Sequence, residues 1–389
     1  MLGFAVAAAY WPGIMSGEFV SRWVVIAVGL PLVCSLDLRV IPEWTRWLLG
    51  FLMVLGALSL LVSPFPTAGI QDLLFMAFLC AAFLFGAEQI SLDAVMTGLT
   101  LGFVPSTILS IVQYFDWLQP VMHASQVSGL FYNSEILGEF AALIFIWNLV
   151  RRRWALAAMA LVPLLLSHSR IGIIVALIAI GYAAPKLRSH RLALISVTVL
   201  VAFGCVFLFG AAKFVTAEHR AVIWITVLAN LTLLGNGLGW VTLAFPMEQF
   251  AHSDALQALA ELGIGATLLV LIPIAALRRD NRASHADRAL FIAACVEVLV
   301  SFPLHFPASG FVSAVVAGFL VGTGPVVCLV DHQRRNDDGP RRIWWDASGW
   351  RAFVGRGRGR AALAIRSLSA QFAALCAPGN CAHPTAAGG

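Results

Sequence analysis

Residues 151–191 read RRRWALAAMALVPLLLSHSRIGIIVALIAIGYAAPKLRSHR. Between two basic clusters lies an apolar stretch, 154–184, interrupted by Ser167-His168-Ser169-Arg170. As one helix it would put Arg151, Arg152 and Arg153 on one side of a bilayer and Lys186, Arg188 and Arg191 on the other. Basic loops favour the cytoplasmic side. Two short helices turning at 167–170 keep both clusters inside, and this hairpin is the expected arrangement.

Composition places that hairpin in a membrane protein. Hydrophobic types make up 60% of the 389 residues and charged types 12%, against about 45–50% and about 25% in soluble domains. A soluble fold, a disordered chain and a secreted disulfide scaffold are excluded. A β-barrel is disfavoured because its strands would alternate apolar with polar. The fold class expected is all-α: a polytopic helical membrane protein with about 12 transmembrane helices and a periplasmic loop containing an amphipathic helix.

The twelve apolar runs are about 2–15, 22–36, 47–62, 71–88, 95–114, 134–150, 154–167, 170–184, 192–212, 254–276, 289–304 and 309–330. The first has no basic segment before it and is expected to be retained as a span. Twelve spans put both termini in the cytoplasm. Of the 25 basic residues, 21 then fall inside, leaving Arg22, Arg170, Lys213 and Arg220 outside. That asymmetry supports the topology and accounts for the formal charge of +5 without nucleic acid. The organisation expected is a transmembrane domain over 1–330, with an outer loop at 213–252, and a basic cytoplasmic tail over 331–389. Within the outer loop, 221–234 reads as an amphipathic helix on the outer surface.

Of the seven Cys, five sit in or beside apolar runs as small hydrophobes. Cys376 and Cys381, with His383 nearby, fall short of a four-ligand zinc site. No phosphate-binding loop, zinc-protease pair or nucleophile elbow is present. The chemistry expected needs no metal and no cofactor.

Polar groups gather on the outer side in five places. Ser128 to Glu139 contains Asn133, Ser134 as the expected helix cap, and Glu135 and Glu139 on one face at i, i+4. A capped helix start and a ligand-facing edge both satisfy that pattern. In the turn 167–170, His168 precedes Arg170. An outer Arg runs against the usual charge bias, so an anion ligand is favoured over snorkelling. Arg220 and Trp224 are also one turn apart, and a guanidinium offers phosphate a planar fork of donors. His252 precedes a span bearing Asp254, Gln257 and Glu261 at i, i+3, i+7. A neutral imidazole is suited to accept a proton there, and an interfacial His with a helix-packing stripe is the alternative. Last, His305 lies in the proline-bounded turn 301–307.

The order of these pieces resembles a family. Arg220-Ala221-Val222-Ile223-Trp224, the turn Leu234-Gly235-Asn236-Gly237-Leu238-Gly239, and the stretch from His252 to Ala266 succeed one another. Upstream stand Gly129-Leu130-Phe131-Tyr132-Asn133 and Ser169-Arg170. The pattern is similar to the O-antigen ligase and polymerase superfamily of bacterial inner-membrane proteins, over about 125–310. Ser253 stands where that family often has Asn, and Ala266 where it often has Gly.

The resemblance implies a metal-independent, inverting glycosyltransferase of lipopolysaccharide biosynthesis. Its donor would be a glycan on undecaprenyl diphosphate. Its acceptor would be a hydroxyl of lipid A core in a ligase, or another carrier-linked glycan in a polymerase, on the periplasmic face. By the same resemblance Arg170 and Arg220 would hold the diphosphate, and His252 would act on the acceptor hydroxyl. From their places in the outer polar segments, Trp224, Asn133, Glu135, Glu139, Gln257, Glu261, His168 and His305 are expected to line the substrate site. Membrane lipids are the remaining expected partners. A lipid-linked sugar transporter is the rival reading, and it would favour broken helices and charges spread through the membrane core.

Overall fold

In a computed structural model the described residues are 38–89, 91–118, 127–131, 133–187, 214–244, 251–278, 283–301 and 303–322. The expected spans 2–15, 22–36 and 192–212 and the tail lie outside them, as do Arg22 and Lys213. Regular structure among the described residues is helical, with no sheet. The helices are α1 (Glu43–Ser59), α2 (Pro66–Glu88), α3 (Asp93–Tyr114), α4 (Ser134–Val150), α5 (Trp154–Leu166) and α6 (Arg170–Leu187). They continue as α7 (Phe214–Ala229), α8 (Trp240–Ala244), α9 (Asp254–Leu262), α10 (Leu271–Arg278), α11 (His285–Val300) and α12 (Pro307–Val321).

Among the described residues three helical segments are long and apolar enough to cross a membrane: α2, α3 and the composite Asp254–Arg278. With the exposed apolar side chains of Leu101 and Ile108 on α3, they mark a membrane protein. The hairpin read at 167–170 is present. Helix α5 stops at Leu166, Ser167 and His168 make the turn, and α6 starts at Arg170.

Helix α4 is the axis of the bundle. Leu137, Phe140, Leu143, Ile144 and Trp147 are all buried, so it is covered on every side, as an all-round apolar helix must be. It packs against α5, α6 and α11. Gly138 makes the closest approach possible, because a methyl there would overlap Ser167 and Ser169 in the hairpin turn. Gly172 faces the Gly138 carbonyl in the same way. These two glycines bring the start of α6 beside the start of α4.

The second tight interface joins α2 to α12. Gly86 lies against the backbone of Val315, Gly318 against that of Phe83, and Gly322 against Ala87. Gly318 and Gly322 are four residues apart, so one face of α12 is a groove for a neighbouring backbone.

The run 254–276, read from sequence as one span, is broken. Helix α9 ends at Gly263, whose φ of +64° only glycine adopts without strain. A 3-10 segment, Gly263–Val270, follows before α10. The break is filled by the glycine turn. Asn236 N–H donates to the Ala260 carbonyl (2.8 Å), Gly237 N–H to that of Glu261 (3.0 Å), and Ile264 N–H to that of Leu233 (3.0 Å). Gly235, Gly237 and Gly239 all have positive φ, which explains why glycine recurs at every second position.

Charged groups separate to the two ends of α4. At its C-terminal end Arg151 pairs with Asp93 (3.6 Å) and Asp287 (3.3 Å), and Arg153 with Asp93 (3.1 Å). These groups tie together the starts of α3, α5 and α11. The end read as periplasmic lies about 25 Å away, the length of a 17-residue helix.

Candidate functional site

At the N-terminal end of α4, Asn133 caps the helix: its Oδ1 accepts the Glu135 N–H at 2.5 Å. The expectation that Ser134 caps it is corrected. Asn133 has the extended backbone that a cap requires, and Ser134 is already helical. The cap directs Glu135 across to α7, where its Oε2 pairs with Nη2 of Arg220. Arg170, at the start of α6, is near enough to feel the charges of both. Three residues separated by 35 and 50 positions in sequence thus share one electrostatic environment.

Glu139 lies one turn deeper and is buried. Ser301, just past α11, donates its hydroxyl to Glu139 Oε1 at 2.6 Å. The Ser301 carbonyl accepts the Asp254 N–H at 2.9 Å. Asp254 in turn holds His305 Nδ1 at 2.5 Å and the Leu304 N–H at 2.7 Å. The starts of α4 and α9 and the end of α11 are therefore joined by one polar chain.

His252 stands at the entry to α9 with φ +53°, an uncommon conformation outside glycine. Three hydrogen bonds of its two neighbours fix it there. The Trp224 indole N–H donates to the Ala251 carbonyl at 2.9 Å. Ser253 caps α9 through the Leu256 N–H and donates its hydroxyl to the Leu299 carbonyl at 3.0 Å. Trp224 and Arg220 share α7, so the helix that carries Arg220 is anchored at the backbone beside His252.

Helix α7 runs from Phe214 to Ala229, earlier than the 221–234 read from sequence. Ile223 and Val227 are buried against Val241, Ala251 and Ala260. Val222, Ile225 and Leu228 are exposed. The helix thus shows apolar side chains to the protein and away from it. Its exposed apolar edge suits a lipid boundary better than open water.

Gln257 and Glu261 serve a different place. Gln257 Oε1 accepts the Ala251 N–H (3.2 Å), and Glu261 Oε1 accepts from Val241 N–H (3.2 Å) and the Gln257 amide (3.4 Å). Both are buried and brace the glycine turn and α8. His168, with φ +55°, forms the hairpin turn just before Arg170. The expected residues therefore divide. Arg170, Arg220, Glu135 and Asn133 converge at the starts of α4 and α6. Glu139 and His305 join them to α9 below, His252 sits beside Trp224, and Gln257 and Glu261 support from behind.

One residue escaped the sequence reading. Glu297 on α11 is fully buried, and neither carboxylate oxygen has a hydrogen-bond partner among the described residues. It lies near Glu139 and Asp254. Its signal was present in the sequence as the lone acid of the run 289–304, and an ionisable group inside a span is costly to keep. Glu297→Met, of similar length, is expected to fold and to raise the thermal unfolding midpoint in detergent. The gain corresponds to about 1–3 kcal/mol for removing an unsatisfied buried group. A lowered midpoint would show that the carboxyl holds the bundle together.

Among the described residues no group of three or more His, Cys, Asp or Glu is arranged to hold a metal ion. What the arrangement offers is a pair of guanidiniums near a carboxylate at one end of the bundle, with an imidazole on an adjoining element. Guanidiniums recognise phosphate oxygens through paired donors, and imidazole moves protons near neutral pH. No protein-family model matches the chain, and no curated protein matches it.

Proposed function

We propose that the chain is a glycosyltransferase of the O-antigen ligase type in the bacterial inner membrane. It moves a glycan from undecaprenyl diphosphate to a hydroxyl of lipid A core on the periplasmic face. The observation that carries this reading is the shared charge environment of Arg170, Glu135 and Arg220, drawn from three helices to one end of the bundle. In this reading the two arginines hold the diphosphate and stabilise the charge that grows as it leaves. His252 takes the proton of the acceptor hydroxyl as that oxygen attacks the anomeric carbon. Attack opposite the leaving diphosphate inverts the sugar. The twelve-span topology with both termini inside belongs to the same proposal.

Two observations bear on the rivals. The break at Gly263 is the kind of discontinuity that transporters use. It is filled by the protein's own glycine turn, whereas a transport site would leave it open to a ligand. The ion pairs of Arg151, Arg153 and Arg220 lie at the two ends of α4 and not along its middle, which favours a reaction at one edge over passage through the bilayer. A polymerase uses the same chemistry with a different acceptor, and the acceptor decides between the two.

The test is a strain lacking the gene, complemented with wild type or His252→Ala. A ligase predicts long glycans stranded on the carrier and bare lipid A core without the gene. Wild type restores transfer, and His252→Ala restores less than about 1% of it, the scale of a lost general base. Core carrying a single repeat unit would assign a polymerase. An unchanged glycan profile would sink the proposal.

A further inference from the structure

The Glu135–Arg220 pair raises a question that the proposed reaction does not answer. A site built to hold a diphosphate on arginines has one of them already held by a carboxylate of the same chain. We infer that Glu135 is a built-in competitor for the diphosphate seat: it occupies Arg220 in the free protein, yields to the donor, and retakes Arg220 as the spent carrier leaves. This inference rests on the ligase-type reading.

The geometry suits a displaceable group. Glu135 is anchored by its backbone through the Asn133 cap, and its carboxylate lies within reach of Arg220. The side chain is nevertheless 40% exposed and that of Arg220 20% exposed, so the pair is reachable from solvent. Pairs of that exposure shift an equilibrium by about two- to five-fold, weak enough for a bidentate, multiply charged phosphate group to displace. Glu139, one turn deeper and held by Ser301, lacks that freedom.

The chemistry gives the competitor a purpose. Transfer breaks the bond between the anomeric carbon and the diphosphate oxygen and forms one from that carbon to the acceptor oxygen. The bonding electrons leave with the diphosphate, and the hydroxyl proton goes to the base. The leaving diphosphate then has a free terminal phosphate and one more negative charge than the donor had. Fixed arginines bind that product more tightly than the substrate. A tethered carboxylate acts at high effective concentration and offsets this tendency to product inhibition.

The experiment uses the full chain in detergent, with geranylgeranyl diphosphate as the probe. Glu135→Gln and Glu135→Ala are each expected to tighten binding about two- to five-fold, the inverse of the lost pair. Arg220→Ala is expected to weaken it, and Glu135→Gln with Arg220→Ala to match Arg220→Ala alone, because the competitor acts through that arginine. If Arg220→Ala weakens binding but neither Glu135 variant tightens it, the competitor is refuted while the diphosphate seat survives. If wild type fails to bind, or Arg220→Ala binds as well as wild type, the reading of the site falls and the inference with it. If neither Glu135 variant folds, by thermal unfolding, the carboxylate is a fold element and the inference is overturned.

Discussion

On the proposed ligase-type reaction, Arg220→Ala should reduce glycan transfer by a factor of about 10²–10³, the loss seen when one fixed donor to a developing anion is removed. Arg220 is only partly buried, and its ion-pair partner Glu135 is more exposed still. Release of that carboxylate to solvent should therefore leave the unfolding free energy within about 1 kcal/mol of wild type. Arg220→Lys should recover only a small part of the activity. An ammonium supplies the charge but lacks the planar fork that engages two phosphate oxygens at once. The measurement is transfer of carrier-linked glycan by purified variants at equal protein, with unfolding followed in parallel. Full activity in Arg220→Ala would remove the arginine from the reaction.

Gly318→Leu should abolish folding. A side chain at Gly318 would collide with the Phe83 carbonyl across the α2–α12 interface, where backbone meets backbone. No rotamer change relieves that overlap, so the helices must separate. The penalty exceeds the roughly 1–3 kcal/mol of ordinary overpacking. Gly86→Leu should behave alike, because its neighbour is the Val315 carbonyl. Gly181→Leu is the control, with open space around the glycine. Size-exclusion profiles of detergent extracts should show a folded peak for Gly181→Leu and loss of that peak for the other two. A normal peak for Gly318→Leu would mean that α2 and α12 are not packed this closely.

The helical hairpin at 167–170 was legible because charge and turn residues coincide there, and each constrains the other. The pairing of Arg151 and Arg153 with Asp93 and Asp287 at one end of α4 was not read from the sequence, although all four sit at or beside run ends there. The break at Gly263 was hidden. Hydropathy sees only a long apolar run over 254–276, and the cause of the break is a turn some 25 residues upstream that bonds to it. The cap at Asn133 was misassigned to Ser134 because both residue types cap helices, and only backbone conformation separates them. Arg170 and Arg220 stood out, with Arg22, as arginines read on the outer side. That Arg170 would come near Glu135 depends on the close approach of α6 to α4 at Gly138 and Gly172, and that Glu135 would meet Arg220 on α7 is encoded by no local pattern. Glu297 was readable in principle but had no motif around it.

The docking of the glycine turn has a mechanical meaning for Arg220. Ser63 donates its hydroxyl to the Leu238 carbonyl at 2.6 Å, and Gly237 sits against the Ser63 backbone. The segment that follows α7 is thereby clamped to the corner between α1 and α2, as well as to the break after α9. Helix α7 is thus pinned twice: past its end by the glycine turn, and at Trp224 by the hydrogen bond to the Ala251 carbonyl. Arg220 stands one turn, about 6 Å, from the second pin. The place of its guanidinium opposite Glu135 is therefore held by backbone contacts to α1, α2 and the entry to α9 as well as by the ion pair itself.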